Sequence, residues 1–308
     1  MKPFRKNLAI AIDGGGIRGV IVTKALSILE ATLGTSVFEL ARLMAGTSTG
    51  SIIVAELAAG TNAEEVHQLY LVHGEEIFRK SWRTFFWPLT RYRYPHEPLE
   101  DALRTYLGER VMSDYWNADP PTDVIITTYD LLENRPRLIK SWKSEYEDWP
   151  AVKSVLASSA APTYFPVVEG QFVDGGLGAF ANPCYLAAYE ILFVLKWKLE
   201  ETTLISLGTG RDPHAIQPGQ PEHYYSWQWI DPLFDAFLAS ASDQQVHLVD
   251  TLFNGLDFRR FQVDMKESIE MDDASAIPDL VRYGEVMGEM ILNDQYDRAQ
   301  LVEPPELP

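Results

Sequence analysis

Short runs of apolar residues, each followed by a glycine-rich turn, predict the strands of a buried sheet. The first run is Asn7–Ile12, and the second covers residues 40–45. Each run passes through a glycine-rich turn into a segment whose apolar side chains recur at helical spacing, residues 20–33 and residues 52–59. Strand, turn and helix therefore alternate from the start of the chain, which is typical of α/β proteins.

The same alternation continues along the chain. Asn62 is the predicted N-cap of a helix over residues 63–78. Further strands are predicted at residues 123–128, 138–142, 172–173, 204–207 and 258–263, and further helices at residues 152–159 and 279–292. Because strand alternates with helix and the strand runs are apolar throughout, we expect a mainly parallel sheet that is covered on both faces. The predicted fold class is α/β, with three layers in the order α/β/α.

Composition and charge exclude several classes of protein. The chain has 308 residues, 26 of them basic and 44 acidic, so its net charge of −18 argues against general binding of nucleic acid. Its one cysteine, Cys184, excludes internal disulfides and a thiolate zinc site. No apolar run approaches the roughly 20 residues that span a bilayer. The first residues predict a strand and not a signal peptide, so we expect a cytoplasmic protein.

A glycine-rich sequence, Asp13-Gly14-Gly15-Gly16-Ile17-Arg18-Gly19, separates the first strand from the first helix. Backbone N–H groups that converge at a helix N-terminus form a site for an anion or an oxyanion. The same glycines formally match a dinucleotide-binding fingerprint, but Glu39, at the right distance, precedes the second strand instead of ending it. A tight turn without chemistry is the third interpretation. We call residues 13–19 the glycine loop.

A second glycine-rich turn carries a serine. Gly46-Thr47-Ser48-Thr49-Gly50 follows a predicted strand and precedes a predicted helix, which is the context that a nucleophile elbow requires. Such a turn exposes the serine oxygen at the carboxyl edge of the sheet, at the positive end of a helix. Ser48 is therefore the candidate nucleophile, and the alternative is a purely structural turn.

A serine nucleophile needs a base. By their late position in the chain, His214, His223 and His247 are candidates, although none follows an obvious strand in a glycine-rich turn. Asp174 does follow a strand and begins the sequence Asp-Gly-Gly, which makes it the stronger candidate. Its alternative role is to cap a turn with its side chain.

Taken together and in this order, the three motifs resemble those of the patatin-like phospholipases. Residues 157–166, 182–183 and 205–210 are also similar to segments of that family, and the resemblance covers residues 7–211. It implies a patatin-like α/β/α fold with a catalytic core over residues 1–211. Residues 212–300 are expected to pack on the same domain as a helical and strand extension, and residues 301–308 to form a disordered tail.

The resemblance also implies the chemistry. Ser48 and Asp174 would form a catalytic dyad without histidine, and the reaction would be the hydrolysis of fatty acyl esters of glycerophospholipids. Phospholipid is the implied substrate, and no cofactor or metal is expected. The sequence has no calcium-binding loop of the EF-hand type.

The same resemblance assigns roles within the glycine loop. The backbone N–H groups of Gly14, Gly15 and Gly16 would form the oxyanion hole. Arg18 would support the loop or meet the substrate phosphate, and Asp13 would brace the loop.

Residues 79–94, which we call the aromatic segment, contain five basic and six aromatic residues and no acidic residue. Aromatic rings mixed with Lys and Arg favour a lipid–water interface, so this segment predicts peripheral contact with a membrane surface. The alternative is that Trp82, Phe86 and Trp87 pack as a cap over the site. Single-stranded nucleic acid is a third, weak interpretation in so acidic a chain.

Three other functions stay open at this point. A nucleotide-binding protein would use Gly14–Gly19 for a phosphate, and a silent lipid-binding scaffold would keep the fold without the reaction. The third is a membrane-degrading antiviral effector of the same family that a cyclic nucleotide activates, with residues 212–308 supplying a sensing surface or an oligomer interface. An oligomer is compatible with the sequence, which does not specify one.

Overall fold

A seven-stranded sheet forms the centre of the computed structural model, which describes residues 1–87, 89–213, 216 and 219–299. The strands are β1 (Asn7–Ile12), β2 (Ala41–Gly46), β3 (Asp123–Asp130), β4 (Arg135–Lys140), β5 (Phe172–Asp174), β6 (Thr202–Leu207) and β7 (Asp257–Phe261). Six of them follow the order β4-β3-β2-β1-β6-β7, and β5 pairs with β3. The pairs from β3 through β2, β1 and β6 to β7 are parallel, whereas β4 and β5 run antiparallel to β3.

Helices cover both faces of this sheet. They are α1 (Gly19–Leu33), α2 (Val37–Leu40), α3 (Thr49–Ala58), α4 (Ala63–Ile77), α5 (Trp82–Phe85), α6 (Glu97–Leu107), α7 (Met112–Trp116), α8 (Ala151–Ser159), α9 (Cys184–Tyr189), α10 (Ile230–Leu252) and α11 (Ile277–Leu292). None of these helices in the described part of the chain is long and apolar enough to cross a bilayer.

The side chains of β1 show how the sheet divides the core. Leu8, Ile10 and Ile12 point to the face that α1, α3 and α4 cover, and Ala9 and Ala11 point to the face that α9 covers. Successive residues of a strand face opposite sides of a sheet, so a strand that is apolar throughout must be buried on both faces. The predicted three-layer, mainly parallel fold is confirmed.

The predicted elements differ from the structure mainly at their ends. The helix predicted for residues 52–59 begins at Thr49, directly after the serine, and Asn62 caps α4 by accepting a hydrogen bond from the Glu65 N–H at 2.9 Å. Six of the helices named above, α2, α5, α6, α7, α9 and α10, were not predicted from the hydrophobic pattern.

The C-terminal part of the chain adds one strand and two helices. Strand β7 pairs in parallel with β6, and α11 packs along α1. The two helices approach closely at Gly284, which has no side chain. A Cβ atom there would lie only 2.8 Å from the carbonyl oxygen of Ile21. The predicted tail, residues 301–308, lies outside the described residues.

Candidate active site

The turn between β2 and α3 holds Ser48 in a backbone conformation that few residues adopt, with φ 53° and ψ −125°. Small neighbours make the turn possible, because a Cβ atom at Gly50 would lie 2.2 Å from the Ile12 carbonyl oxygen. Ser48 is half-buried and lines a cavity. The strained serine on a strand–turn–helix unit is the geometry of a nucleophile elbow.

Strand β5 brings Asp174 to this serine. Along β3, the pairing with β2 ends at Ile126, which lies opposite Gly46. The pairing with β5 begins two residues later, at Thr128, which lies opposite Asp174. Since β4 occupies the other edge of β3 over the same residues, β5 must lie on the edge that β2 leaves. Asp174 therefore stands beyond the end of β2, where the chain turns to present Ser48.

The carboxylate of Asp174 is buried, with 4% of its surface exposed. It accepts a hydrogen bond from the Gly176 N–H at 2.8 Å, and the Ser48 side chain lies close enough to lower its pKa. Burial raises the pKa of Asp174 to about 6, although the Ser48 side chain and the Gly176 N–H both oppose that shift. Among the described residues no cation contacts this carboxylate, so it is able to take up a proton near neutral pH.

The glycine loop passes over the serine, and a Cβ atom at Gly14 would lie 3.2 Å from that of Ser48. The Gly14 N–H donates to the Ala181 carbonyl oxygen at 2.9 Å. The prediction that three glycine amides form the oxyanion hole is therefore corrected for Gly14, whose donor is already used. The N–H groups of Gly15 and Gly16 donate to no residue in the described ranges.

Two contacts hold the first half of the loop. Arg260 of β7 donates two hydrogen bonds to Asp13, from Nη1 at 2.9 Å and from Nη2 at 2.6 Å, and Thr209 Oγ1 donates to the Gly14 carbonyl oxygen at 2.7 Å. Burial raises the pKa of Asp13, and the Arg260 guanidinium opposes that shift. Asp13 thus braces the loop through Arg260, which belongs to none of the sequence motifs. Its one signal in the sequence is a pair of arginines inside an apolar strand, Phe258-Arg259-Arg260-Phe261.

Arg18 holds the second half of the loop. Its Nη2 atom lies 2.6 Å from Asp212 Oδ2, and its Nε donates to the Ile269 carbonyl oxygen at 2.7 Å. Of the two predicted roles, support of the loop accounts for these contacts. Asp212 neutralises the positive charge of Arg18, which a substrate phosphate would need for binding.

A cavity of about 930 Å³ opens over the serine. One wall is apolar and is formed by Ile52, Leu69, Ile77, Phe78, Leu99 and Phe165. Another wall comes from α10, through residues that include Pro232, Ala236 and Ala239. A volume of this size is typical of sites for small organic ligands, and the apolar wall suits a hydrocarbon chain.

The predicted histidines lie away from this cavity where the structure describes them. His223 is exposed and His247 is half-buried on α10, and neither lines the cavity. His214 lies outside the described residues. Within the described ranges no cluster of three or more His, Cys, Asp or Glu side chains is suited to a metal ion.

The aromatic segment divides into two parts. Trp82, Phe85 and Leu89 are 62%, 82% and 87% exposed, so this part faces outward. Arg93 is buried, with its guanidinium over the rings of Trp87 and Tyr164 at 5.1 and 4.5 Å. Of the three side chains in the cap interpretation, Trp82 and Phe86 are exposed, Trp87 is half-buried, and none lines the cavity, so that interpretation is wrong for them. Arg93, at the inward end of the segment, does line the cavity. Pro88 lies outside the described residues.

The structure does not place Glu39 where a dinucleotide-binding site requires its acidic residue. Glu39 forms a capping box with Ser36 at the start of α2, just before β2 begins. That position is at the amino end of β2, on the opposite edge of the sheet from the glycine loop. The ribose-binding acid of a dinucleotide site would stand at the carboxyl end, where this chain has Gly46.

Comparison with known proteins gives a consistent result. A family model described as patatin-like phospholipase matches residues 10–188. Patatin-like protein 1 of Oryza sativa subsp. indica is 28% identical over 356 residues, which cover 97% of this chain and 84% of the relative. The cGAMP-activated phospholipase of Vibrio cholerae is 26% identical over 267 residues, which cover 77% and 74%.

A solved structure resembles the fold. VipD from Legionella pneumophila superposes with a TM-score of 0.50 at 10% identity, over 95% of this chain and 67% of that one. At this identity the likeness concerns the fold alone.

Proposed function

Since the chain belongs to the patatin-like phospholipase family, we propose that it is a lipid acyl hydrolase of the phospholipase A type, with Ser48 as nucleophile and Asp174 as base. The observation that carries the proposal is the strained serine beside a buried carboxylate that has no cationic partner among the described residues. The open amides of Gly15 and Gly16 and the apolar wall of the cavity support the same chemistry.

In the first half of the proposed reaction, the Ser48 oxygen attacks the carbonyl carbon of the ester while its proton passes to Asp174. The carbonyl oxygen becomes an oxyanion and accepts hydrogen bonds from the Gly15 and Gly16 amides. A well-aimed donor of this kind is worth about 3 kcal/mol. The bond to the lysolipid alcohol then breaks, and the alcohol leaves with the proton held by Asp174.

In the second half, water hydrolyses the acyl ester on Ser48. Asp174 takes a proton from the water as its oxygen bonds to the acyl carbon. The serine oxygen then leaves, recovers the proton from Asp174, and the fatty acid is released. Every proton that moves is held by one carboxylate, so the dyad needs no histidine.

We also propose that the outward part of the aromatic segment docks on a lipid surface and makes the protein a peripheral membrane protein of the cytoplasm. Apart from Ser81, the exposed side chains of this part are apolar or basic: Trp82, Phe85, Phe86 and Leu89, with Arg79, Lys80 and Arg91. Phe78 precedes the segment and lines the cavity, so docking here brings the cavity to the lipid. Each basic residue near an anionic surface adds about 1 kcal/mol.

The central experiment compares wild type with Ser48→Ala on a mixture of lipids, with the products identified by mass spectrometry. We expect fatty acids and lysophospholipids from the wild type and none from the variant. Fluorophosphonate should label the wild type and Ser27→Ala, whose serine lies on α1 and bonds Glu64 at 2.7 Å, but not Ser48→Ala. Turnover by a well-folded Ser48→Ala protein would overturn the mechanism.

Docking is tested separately by sedimentation with vesicles. Phe85→Ser and Leu89→Ser should weaken binding to neutral and anionic vesicles, because the lost contacts are apolar. Phe193→Ser is the matched control, because Phe193 is 57% exposed but follows α9 on the way to the amino end of β6. Equal binding by all three variants would reject this surface.

Nucleotide activation is the alternative that one relative supports, since the Vibrio cholerae protein is named for activation by cGAMP. Adding cGAMP to the same lipid assay separates the two cases. A rate that rises steeply with cGAMP would favour an activated effector, and an unchanged rate would favour a constitutive hydrolase.

A further inference from the structure

Residues 268–272, which we call the brace loop, contact the glycine loop directly. The Met271 carbonyl oxygen accepts a hydrogen bond from the Ile17 N–H at 2.9 Å. The contact leaves no room for a side chain, because a Cβ atom at Gly16 would lie 2.2 Å from the same oxygen. The brace loop therefore sets the position of Gly16, whose amide is one of the two open donors.

The next residue of the brace loop, Asp272, contacts the inward end of the aromatic segment. Its Oδ2 atom accepts a hydrogen bond from the Tyr94 hydroxyl at 2.9 Å and lies 3.6 Å from Arg93 Nη1. Asp272 is 9% exposed, so the carboxylate is held between these groups and does not extend into solvent. The carbonyl that holds the glycine loop and the side chain that holds the segment thus belong to adjacent residues.

The inward end of the segment also borders the other half of the site. The backbone N–H groups of Arg93 and Tyr94 donate to the Tyr164 carbonyl oxygen at 3.1 and 2.8 Å. A few residues earlier, the Ala160 carbonyl oxygen accepts from the Asp174 N–H at 3.0 Å. A displacement of Arg93 and Tyr94 would therefore act on both the base and the oxyanion donors.

We propose that Asp272 is a positioning residue that couples the lipid-docking segment to the oxyanion donors, so that contact with a lipid surface raises the turnover number. The proposal rests on the proposed function. Its physical reason is that oxyanion donors act only when they are well aimed, and a displacement of about 1 Å is able to cost about 100-fold in rate. Docking would hold Arg93 and Tyr94, and through Asp272 would hold Met271 and Gly16.

The experiment measures kcat and KM for a soluble short-chain ester, with and without vesicles of a dialkyl ether phospholipid that contains no ester bond. For the wild type we expect the vesicles to raise kcat several-fold. Asp272→Ala should lower kcat about tenfold with little change in KM, because the lost alignment serves only the transition state. Asp272→Ala and Tyr94→Phe should both lose the increase on vesicles while they sediment with them like wild type.

Asp273→Ala is the matched control. Asp273 is the adjacent residue, and its carboxylate bonds Ser275, at 3.1 Å to the N–H and 2.5 Å to the hydroxyl. This variant should keep the wild-type kcat and the increase on vesicles. If Asp272→Ala fails to fold, Tyr94→Phe carries the test alone, since it removes one hydroxyl.

The outcomes separate this proposal from the proposed function. A wild type that does not hydrolyse the ester, or does so without Ser48, contradicts the proposed function. A wild type that uses Ser48 and whose kcat the vesicles leave unchanged contradicts only the coupling. Equal kcat and equal response to vesicles in wild type, Asp272→Ala and Tyr94→Phe would also overturn the role of Asp272.

Discussion

Two turns in this molecule share the sequence Asp-Gly-Gly and have different partners. Asp13 begins the turn after β1, and Asp174 begins the turn after β5. Both carboxylates are buried, at 5% and 4% exposure, and burial raises the pKa of each. Asp13 is held by the guanidinium of Arg260, whereas Asp174 meets the hydroxyl of Ser48.

The partner, and not the local sequence, separates the two roles. A carboxylate that shares two hydrogen bonds with an arginine is stabilised in its charged form and is a poor proton acceptor. A buried carboxylate beside a hydroxyl has no such counter-charge and is poised to accept the proton of that hydroxyl. The first turn thus serves the position of the glycine loop, and in the proposed mechanism the second serves the chemistry.

The largest expected effect is the loss of the base. Asp174→Asn should lower kcat for a soluble ester by about 10³-fold or more, because the amide cannot take the serine proton. The variant should be at least as stable as wild type, since it removes a buried charge that has no cation beside it among the described residues. Turnover and thermal unfolding of the same preparation test both statements. Activity within tenfold of wild type would remove Asp174 from the role of base.

The other turn should respond in stability. Asp13→Asn leaves Arg260 buried without its counter-charge, which is expected to lower the free energy of unfolding by about 3 kcal/mol. Denaturant unfolding measures this loss. The double variant Asp13→Asn with Arg260→Met is the control and should recover part of it, because no buried charge remains. A single variant as stable as wild type would mean that the pair does not brace the loop.

The pH dependence sharpens the same contrast. The proposed base, Asp174, would act only when it is ionised, and its pKa is raised to about 6. Below that pH, kcat/KM should fall about tenfold per pH unit, and above it the rate should level off. In the Asp13→Asn variant the midpoint should stay near 6. A pH profile that is flat from pH 5 to 8 would contradict the assignment of the base.

The positions of the candidate site residues in the first 211 residues were predictable because these residues stand at strand ends. Parallel strands bring their carboxyl ends to one edge of a sheet, so the glycine loop and the serine elbow had to be neighbours. The meeting of Asp174 with Ser48 depends in addition on β5, which pairs antiparallel to β3 beyond the end of β2. A strand of three residues carries too little pattern to predict its direction.

The contacts of the C-terminal part were not predictable. Arg260 is 247 positions from Asp13, and Met271 is more than 250 from Ile17. Such pairs arise from tertiary packing, which no local pattern encodes. Helix α10 was not predicted because of its own pattern of apolar positions. Leu233 and Phe237 are 58% and 41% exposed, so its apolar positions do not form a single buried stripe.

The smallest expected effect concerns the histidines. If the site were a catalytic triad, one of them would be the base in place of Asp174. His223 and His247 do not line the cavity, and the Asp174 side chain already lies beside the serine, where a histidine base would have to stand. We therefore expect His223→Ala, His247→Ala and His214→Ala each to change kcat for the soluble ester less than about twofold, since loss of a general base costs 10²–10⁴-fold. The Asp174→Asn variant, measured alongside, sets the scale of a true loss. If one histidine variant fell to that scale while keeping its melting temperature, that histidine would be the base, and Asp174 would join Asp13 as a structural residue.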